Sequence, residues 1–313
     1  MRPLIAIVGP TGSGKSDLSL HICKTFGGEV INCDSLQIYR YFDIGTAKLP
    51  IEERHGIPHH MLDILNPDEI FTAGEFADRA RPLLERIDLP VVVGGTGFYL
   101  RALLDGLAPA PTRDEGLRAM LSAREERRSG SLHRLLSRFD PRASRLIHSN
   151  DVPKTIRALE VYLLTRRPMS SWFDEPRNAL RGFLPLKIGL APPRDELYRR
   201  LDQRCERMFA SGLLDEVRGI LDMGWPSSSK PFESHGYAQA LELLAGRMTQ
   251  AQALEDAQRN TRRYAKRQMT WFRKEPGVEW FPTFGDDPST VHAVNHRVGK
   301  YLSESTTYLS PKK

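Results

Sequence analysis

Eight residues near the amino terminus, Gly9-Pro10-Thr11-Gly12-Ser13-Gly14-Lys15-Ser16, carry the spacing GxxxxGK[ST]. Glycines in such a run let backbone N–H groups turn inward around an anion, and a helix that begins there adds its positive end. Lys15 would neutralise phosphate charge and the Ser16 hydroxyl would ligate Mg²⁺. The motif leaves open which phosphate is held. Nucleotide hydrolases usually add a strand ending in an acid that organises metal and water. Here residues 89–93 (LPVVV) run into Gly94-Gly95-Thr96-Gly97 with no carboxylate, and only Asp34, after EVINC, is an acid at a strand end. One carboxylate cannot easily organise a metal and act as a base, so ATPase chemistry is under-equipped.

Further cations recur with order. Arg200, Arg204 and Arg207 stand at i, i+4, i+7, on one helix face, apart from an apolar stripe of Leu197, Leu201, Cys205 and Met208. That face could close over a pyrophosphate opposite Lys15. It could also be solvated, with Glu196 four residues before Arg200. Arg200 and Arg207 are read as solvated. In residues 261–274 (TRRYAKRQMTWFRK), Ala265, Met269 and Phe272 face a core. Arg262, Arg263, Lys266, Arg267 and Arg273 form a positive surface, which fits an RNA backbone or plain solvent equally. His59-His60 with Asp63 invites a metal reading, but adjacent histidines do not readily chelate one ion, so structural roles are expected.

The elements that must position these groups follow from periodicity. Residues 3–8 (PLIAIV), 29–33 (EVINC), 89–93 and 184–190 (LPLKIGL) read as strands separated by helical stretches, the pattern of a parallel sheet covered by helices. Between about residues 112 and 182 no strand is evident. Leu132, Leu135, Leu136 and Phe139 make one helical stripe there, and Val152, Ile156, Leu159 and Leu163 another. Helices are expected over 195–223, 237–244 and 249–274, with a weakly patterned tail after Asp286 and a frayed end from Ser303. The fold class is therefore α/β, a P-loop NTPase-like parallel sheet core flanked by helices, with an all-helical insertion domain. The core is assigned to 1–112 and 184–313, with a helical C-terminal part, and the insertion to 113–183.

The 313 residues, 40% hydrophobic and 27% charged, suit a globular protein. No apolar run approaches the ~18 residues needed to span a bilayer. The opening MRPLIAIVGP is too short in its apolar part for a signal peptide and reads as a buried first strand, so a cytoplasmic protein is expected. Cys23, Cys33 and Cys205 form no CxxC pair, which excludes a disulfide framework and a cysteine zinc site. A net charge of +6 and a pI near 9.3 lean toward a polyanionic partner such as RNA.

Seven ordered blocks carry a resemblance: GPTGSGKS (9–16), EVINCDSLQIYRYFDIGTAK (29–48), PHHMLDI (58–64), VVGGTGFYLRALLDGL (92–107), IHSNDVPKTIRALEVYLLT (147–165), LYRRLDQRCERMFASGLLDEV (197–217) and TRRYAKRQMTWFRK (261–274). Together they resemble the tRNA dimethylallyltransferase (isopentenyl-tRNA transferase) family, bacterial type. The eukaryotic members' zinc finger has no counterpart here. The resemblance implies transfer of a dimethylallyl group from its pyrophosphate to N6 of the adenine beside the anticodon, in tRNAs reading codons that begin with U. Residues 9–16 would then hold the pyrophosphate of dimethylallyl pyrophosphate, with Mg²⁺ on Ser16, which accounts for the missing hydrolase acid.

The same resemblance implies Asp34 as general base, unless it caps a helix or meets Mg²⁺ through water. It implies Thr96 at the reacting nucleotide, with a purely structural turn as the alternative, and Lys15 and Arg204 on the leaving pyrophosphate. Contacts to the tRNA anticodon stem-loop would come from Asp34, Ser35, Leu36, Gln37, Thr96, Arg118 and the insertion segment Pro153, Lys154, Thr155, Ile156, Arg157. A monomer without membrane partners is expected. Three positions depart from the family pattern. Gly12 stands where alanine is common, which reads as harmless in a tight loop; Ala238 replaces a frequent Lys or Arg; Arg166 replaces the glycine of a TG[RK]P turn. The competing classes are a P-loop kinase of a small metabolite, recognised by ATP turnover, and an RNA-binding factor that uses nucleotide as a switch.

Overall fold

The computed structural model describes residues 1–307. The chain opens with β1 (Arg2–Val8), α1 (Lys15–Phe26) and β2 (Glu29–Asn32). A long irregular stretch leads to the two-residue β3 (His59–His60), followed by α2 (Ala73–Arg86), β4 (Pro90–Val93) and α3 (Gly97–Asp105). Five helices come next: α4 (Glu115–Arg127), α5 (Ser131–Phe139), α6 (Pro141–Leu146), α7 (Val152–Thr165) and α8 (Met169–Trp172). Then come β5 (Phe183–Leu190), α9 (Arg194–Ala210), α10 (Leu213–Asp222), α11 (Tyr237–Leu244), α12 (Gln250–Phe272), β6 (Val278–Phe281) and α13 (Pro288–Thr307).

The chain divides into two compact units, one of Met1–Leu104 with everything from Leu180 onward, the other Asp105–Ala179. The breaks lie earlier than the 112/113 and 183/184 boundaries expected from texture. Leu180 N donates to Leu104 O and Arg2 N to Gly182 O, so the chain rejoins the sheet unit before β5 begins. On the other side, Pro111 O accepts from Arg157 and Asp114 N donates to Glu160, which ties the entering segment to the helices.

In the first unit the inner strands β1 and β4 and most of β5 are buried, largely apolar runs, as strands covered on both faces must be. All pair in parallel, in the order β3-β2-β4-β1-β5-β6. The fold class is thus α/β with a six-stranded parallel sheet. Ile5, Ile7, Leu18, Ile22, Val91 and Ile188 pack with Val294 and Val298 in one core. Residues Pro288–Thr307 therefore form a core helix, contrary to the weakly patterned tail expected. The apolar positions of α13 are sparse but recur at three- and four-residue spacing, and Tyr301 ties the helix to the interior strand β1, donating to Leu4 O (3.2 Å) and accepting from Leu4 N (2.9 Å). Of the frayed end expected from Ser303, residues up to Thr307 are helical, and the rest lies outside the described residues.

A second core gathers around Phe42, whose ring meets those of Phe232 and Tyr237 edge-on at 5.0 and 4.9 Å. Tyr237 also accepts from Gly45 N (3.0 Å) and donates to Glu216. Glu216 in turn accepts from Asp43 N and Ile44 N. Buried Lys48 is neutralised by Asp43 and Asp63. This is the fate of Asp63, so the metal reading of PHHMLD has no support there. Two further expectations are corrected. The helix over 195–223 is two helices, because Gly212 (φ +98) breaks it. The strands β3 and β6 were not anticipated.

In the helical unit, Leu121, Leu132, Leu136, Ile156 and Leu159 form a separate core, and Phe139 stacks on Tyr162 at 4.5 Å. Arg166 ends α7 with φ +58, the left-handed conformation in which glycine is usual because it lacks a Cβ. An arginine there is strained by about 1 kcal/mol. Arg166→Gly is expected to stabilise this unit by roughly 0.5–1 kcal/mol, read as a higher urea midpoint; a lower midpoint would show that the exposed arginine side chain contributes more than the turn costs.

Candidate active site

The anion loop leaves β1 and turns through Gly9, Gly12 and Gly14 at φ +147, +77 and +82. Two of these are also forced by proximity. A Cβ on Gly9 would lie 2.8 Å from Leu190 O, and one on Gly14 2.7 Å from Asp286 Oδ1. Gly285 N donates to Ser13 O at 2.8 Å, so the segment after β6 forms one wall of the loop. Gly12 is not interchangeable with alanine in this backbone: its φ disfavours a side chain, and a Cβ would sit 2.7 Å from Leu201 Cδ2.

Thr11, Gly12, Ser13, Gly14, Lys15 and Ser16 line a cavity of about 470 Å³. Gly9 and Pro10 do not line it, although Pro10 O accepts from Lys15 Nζ at 2.7 Å. Burial brings the Lys15 amine down to about 8, with the charge of Asp34 opposing the shift and that of Arg204 adding to it. Arg204 reaches over from α9 and donates to Thr11 Oγ1 at 2.6 Å. Burial also lowers its guanidinium from the usual value, and its Nε is buried with no protein partner.

Arg200 and Arg207 line the same cavity; Arg207 is exposed, as expected of a solvated residue, whereas Arg200 is half-buried. Arg200 is not paired with Glu196. It forms a two-pronged ion pair with Asp286, both N···O distances 2.8 Å, and stacks over Phe284. His59 also lines the cavity, its ring bonded to Ile57 O at 2.8 Å, while His60 is bonded to Glu29.

Asp34 follows β2, where Gly94 approaches so closely that a Cβ would fall on the Cys33 carbonyl. Asp34 Oδ1 accepts from Leu36 N at 2.9 Å. Its carboxylate lines both the main cavity and a smaller annex of about 60 Å³, as do Thr11, Thr46 and Arg204. The annex adds Leu36, Met208, Phe209, Leu213 and Tyr264. Gln37 lines the main cavity and donates to Thr46 O. Thr96 lines neither. Its hydroxyl accepts from Ser35 N at 3.0 Å and lies 3.3 Å from Ser35 Oγ, which fixes the turn that carries Asp34.

Gln268 escaped the reading of the sequence. It is buried on α12, accepts from Thr11 N at 2.8 Å and donates to Gly95 O at 2.9 Å, joining the anion loop to the glycine turn. The available signal was a polar residue three after Ala265 and four before Phe272, on the apolar face. Met269, expected in the core, is only partly buried. Of the basic residues on α12, Arg262 is paired with Asp202, whereas Arg263, Lys266, Arg267 and Arg273 are exposed.

The remaining candidates belong to the helical unit. Arg118 and Arg157 both point at the fully buried Glu160 carboxylate, at 3.2 and 2.6 Å. Thr155 and Ile156 are buried, Pro153 and Lys154 exposed, with Lys154 beside Asp151.

A parallel sheet feeding a glycine-rich loop, faced by arginines from a distant helix, defines an α/β protein with a cation-lined cavity at the strand ends. The chain belongs to the IPP transferase family, whose profile matches residues 37–275. It is 57% identical over 306 residues to a tRNA dimethylallyltransferase of Solibacter usitatus, covering 96% of this chain and 100% of that one. A second relative of the same description, from Koribacter versatilis, is 51% identical, over 92% of this chain and 95% of its own length. Among solved structures, a full-length tRNA isopentenylpyrophosphate transferase from Bacillus halodurans superposes with a TM-score of 0.73 at 37% identity, covering 98% of this chain and 99% of that one. A eukaryotic dimethylallyltransferase acting on tRNA gives a TM-score of 0.81 at 28% identity, over 100% and 81%.

The lowered Lys15 amine has a consequence for the anion-free protein. At pH 7 the amine is protonated in both folded and unfolded chains, so the fold bears the burial cost. Between about 8 and the ordinary 10.5 only the unfolded chain holds the proton, and stability gains as pH rises through that window. Lys15→Met is expected to stabilise the anion-free protein at pH 7 by on the order of 1–2 kcal/mol, the advantage vanishing above pH 10.5. Chemical denaturation across pH checks this; a gain that persists at high pH would assign the effect to packing.

Proposed function

We propose that the protein transfers a dimethylallyl group from dimethylallyl pyrophosphate to N6 of the adenine adjacent to the anticodon, in tRNAs reading codons that begin with U, releasing pyrophosphate. One observation carries this reading: Asp34 borders both the cationic cavity and the largely apolar annex, where a diphosphate and a five-carbon chain would meet. The absence of a carboxylate in the turn after β4 further favours transfer over phosphoryl chemistry.

An adenine amine is a weak nucleophile, its lone pair shared with the ring. Asp34 accepts the N6 proton as the new N–C bond forms. The allylic C–O bond breaks with its electron pair going to pyrophosphate, whose charge is received by the loop N–H groups, Lys15 and Arg204. The unpartnered Arg204 Nε is a donor suited to that anion. Thr96 acts here through Ser35, as a positioning residue for the Asp34 turn.

Among the described residues no group of three or more His, Cys, Asp or Glu could hold a metal ion. The exposed Ser16 hydroxyl at the cavity therefore fits a Mg²⁺ that arrives with the pyrophosphate and keeps most of its waters. Such an ion would neutralise leaving-group charge. A stacked anticodon-loop base must be drawn out into the site, and residues 34–37 are the polar rim nearest the base acceptor. No helix among the described residues is long and apolar enough to cross a membrane; we take the acting species as a cytoplasmic monomer.

Purified protein with Mg²⁺, dimethylallyl pyrophosphate and an unmodified tRNA is expected to yield N6-dimethylallyladenosine in nucleoside mass spectrometry. Asp34→Ala should slow its formation by about 10²–10⁴-fold. ATP consumption with no modified nucleoside would instead support a small-metabolite kinase.

A further inference from the structure

Past Ile7 and Val93, the last paired residues of β1 and β4, the two halves of the site are built separately. The anion loop leaves β1 and Asp34 follows β2, with β4 lying between those strands in the sheet. The acid is tied to the turn after β4: Thr96 N donates to Cys33 O at 3.2 Å, and Ser35 N donates to Thr96 Oγ1 at 3.0 Å. Among the described residues no hydrogen bond runs directly between loop 9–16 and turn 94–97; Gln268 supplies the link. We infer that Gln268 is a positioning residue for group transfer: its amide fixes the span between the leaving diphosphate and the acid at the acceptor amine, and so acts on turnover rather than on anion binding. The roles of the two ends rest on the reading above.

The amide fits only one way round. Thr11 N can only donate, so Oε1 faces it at 2.8 Å; Gly95 O can only accept, so Nε2 faces it at 2.9 Å. The second contact is close, for a Cβ on Gly95 would lie 2.1 Å from Gln268 Nε2 and 3.8 Å from Asp34 Oδ2. Glycine at 95 thus admits the amide and brings it beside the acid. At the loop end, Thr11 Oγ1 is the atom that Arg204 grips. A bonded path therefore joins Arg204 to the residue next to Asp34, with Gln268 at its centre.

The support of Gln268 is independent of both ends. It is carried by α12, whose Ala265 packs with Leu197 and Leu201 of α9 and whose Phe272 is buried. Just beyond that helix Glu275 pairs with Lys187 of β5 at 2.6 Å. Transfer needs such a strut, because the amine must meet the allylic carbon as the C–O bond to diphosphate breaks. A misplacement of ~1 Å costs on the order of 10²-fold in rate. An apolar side chain at 268 would leave Thr11 N and Gly95 O without this partner and free the loop and the turn to drift apart.

The test measures single-turnover formation of N6-dimethylallyladenosine from dimethylallyl pyrophosphate and unmodified tRNA with Mg²⁺, beside the binding of inorganic pyrophosphate to the full chain. Gln268→Leu is expected to slow transfer by about 10²-fold, with the pyrophosphate Kd within about threefold of wild type. Gln268→Glu separates positioning from general support. A protonated carboxyl both accepts and donates, as the amide does, whereas a carboxylate only accepts. Burial beside Asp34 and Gly95 O raises that carboxyl above its usual range. Lys15 from α1 and Arg204 from α9, on the same cavity, oppose the rise, and Tyr264 on α12, its phenol pushed up by burial, stays neutral. The rate of the glutamate variant relative to wild type should therefore fall at least about tenfold between about pH 5 and 8, with circular dichroism unchanged.

A ratio that does not vary with pH overturns the positioning role, as does a leucine variant that transfers at the wild-type rate. Lost pyrophosphate binding with turnover kept would place Gln268 on the anion itself and also overturn it. Should Gln268→Leu fail to fold, the glutamate ratio decides alone. A wild-type chain that forms no N6-dimethylallyladenosine overturns the transferase reading, and this inference with it; product from wild type with either of the first two results overturns this inference only.

Discussion

Lys15, Arg200, Arg204 and Arg207 border one cavity with the carboxylates Asp17, Asp34 and Glu53, and the nearby Asp286 is already taken by Arg200. Such cations repel one another, and a flexible chain would let them part. The fold prevents this by drawing Lys15 and the three arginines from two separately anchored helices. Lys15 begins α1, whose apolar face is locked under the sheet; the arginines sit on α9, whose opposite side packs through Leu197 and Leu201 on Ala265. The sheet is parallel, so the ends of β1, β2 and β4 deliver the anion loop, Asp34 and the glycine turn to one edge. Preorganised positive charge in a water-poor place is what a developing anion needs.

That edge is itself braced by polar contacts of unusual reach. Gln268 binds the loop on one side and the glycine turn on the other, while Thr96 holds Ser35. Farther out, Tyr41, Ala47, Met61 and Asp63 all adopt left-handed backbone, around the buried Lys48 that ties Asp43 to Asp63. Non-glycine residues in that conformation persist only when their surroundings over-determine them. The segment after Asp34 is therefore held by the ion pairs of one buried lysine and the Phe42–Tyr237 packing rather than by regular structure.

What could be read in the sequence was whatever local spacing dictates. The anion loop is contiguous, and β1, β4 and β5 are apolar runs with clear ends, so both were legible. β3 has two residues and β6 four, too few to show a period. The partner of Arg200 lies 86 residues away, and no spacing rule on α9 could reveal it, so the helix-local Glu196 was chosen instead. Gln268 was passed over for the neighbouring Met269 because a hydrophobic residue is the ordinary occupant of a core face. Arg118 and Arg157 illustrate the reverse: exposed-looking charges in the sequence, they converge on a glutamate whose burial only tertiary packing creates.

The joint between Gly285 and Ser13 sets the order in which the protein can be completed during its synthesis. The anion loop is synthesised well before its outer wall, which is made by residues 285 and 286, and its parent strand is flanked on one side by β5. At roughly 5–20 residues per second, the loop waits on the order of a quarter to a whole minute for its last wall. Such a long sequence separation makes closure a late event in folding. A nascent chain halted before residue 285 thus carries the motif without the finished cradle, and translation itself delays the moment at which the cations are brought together.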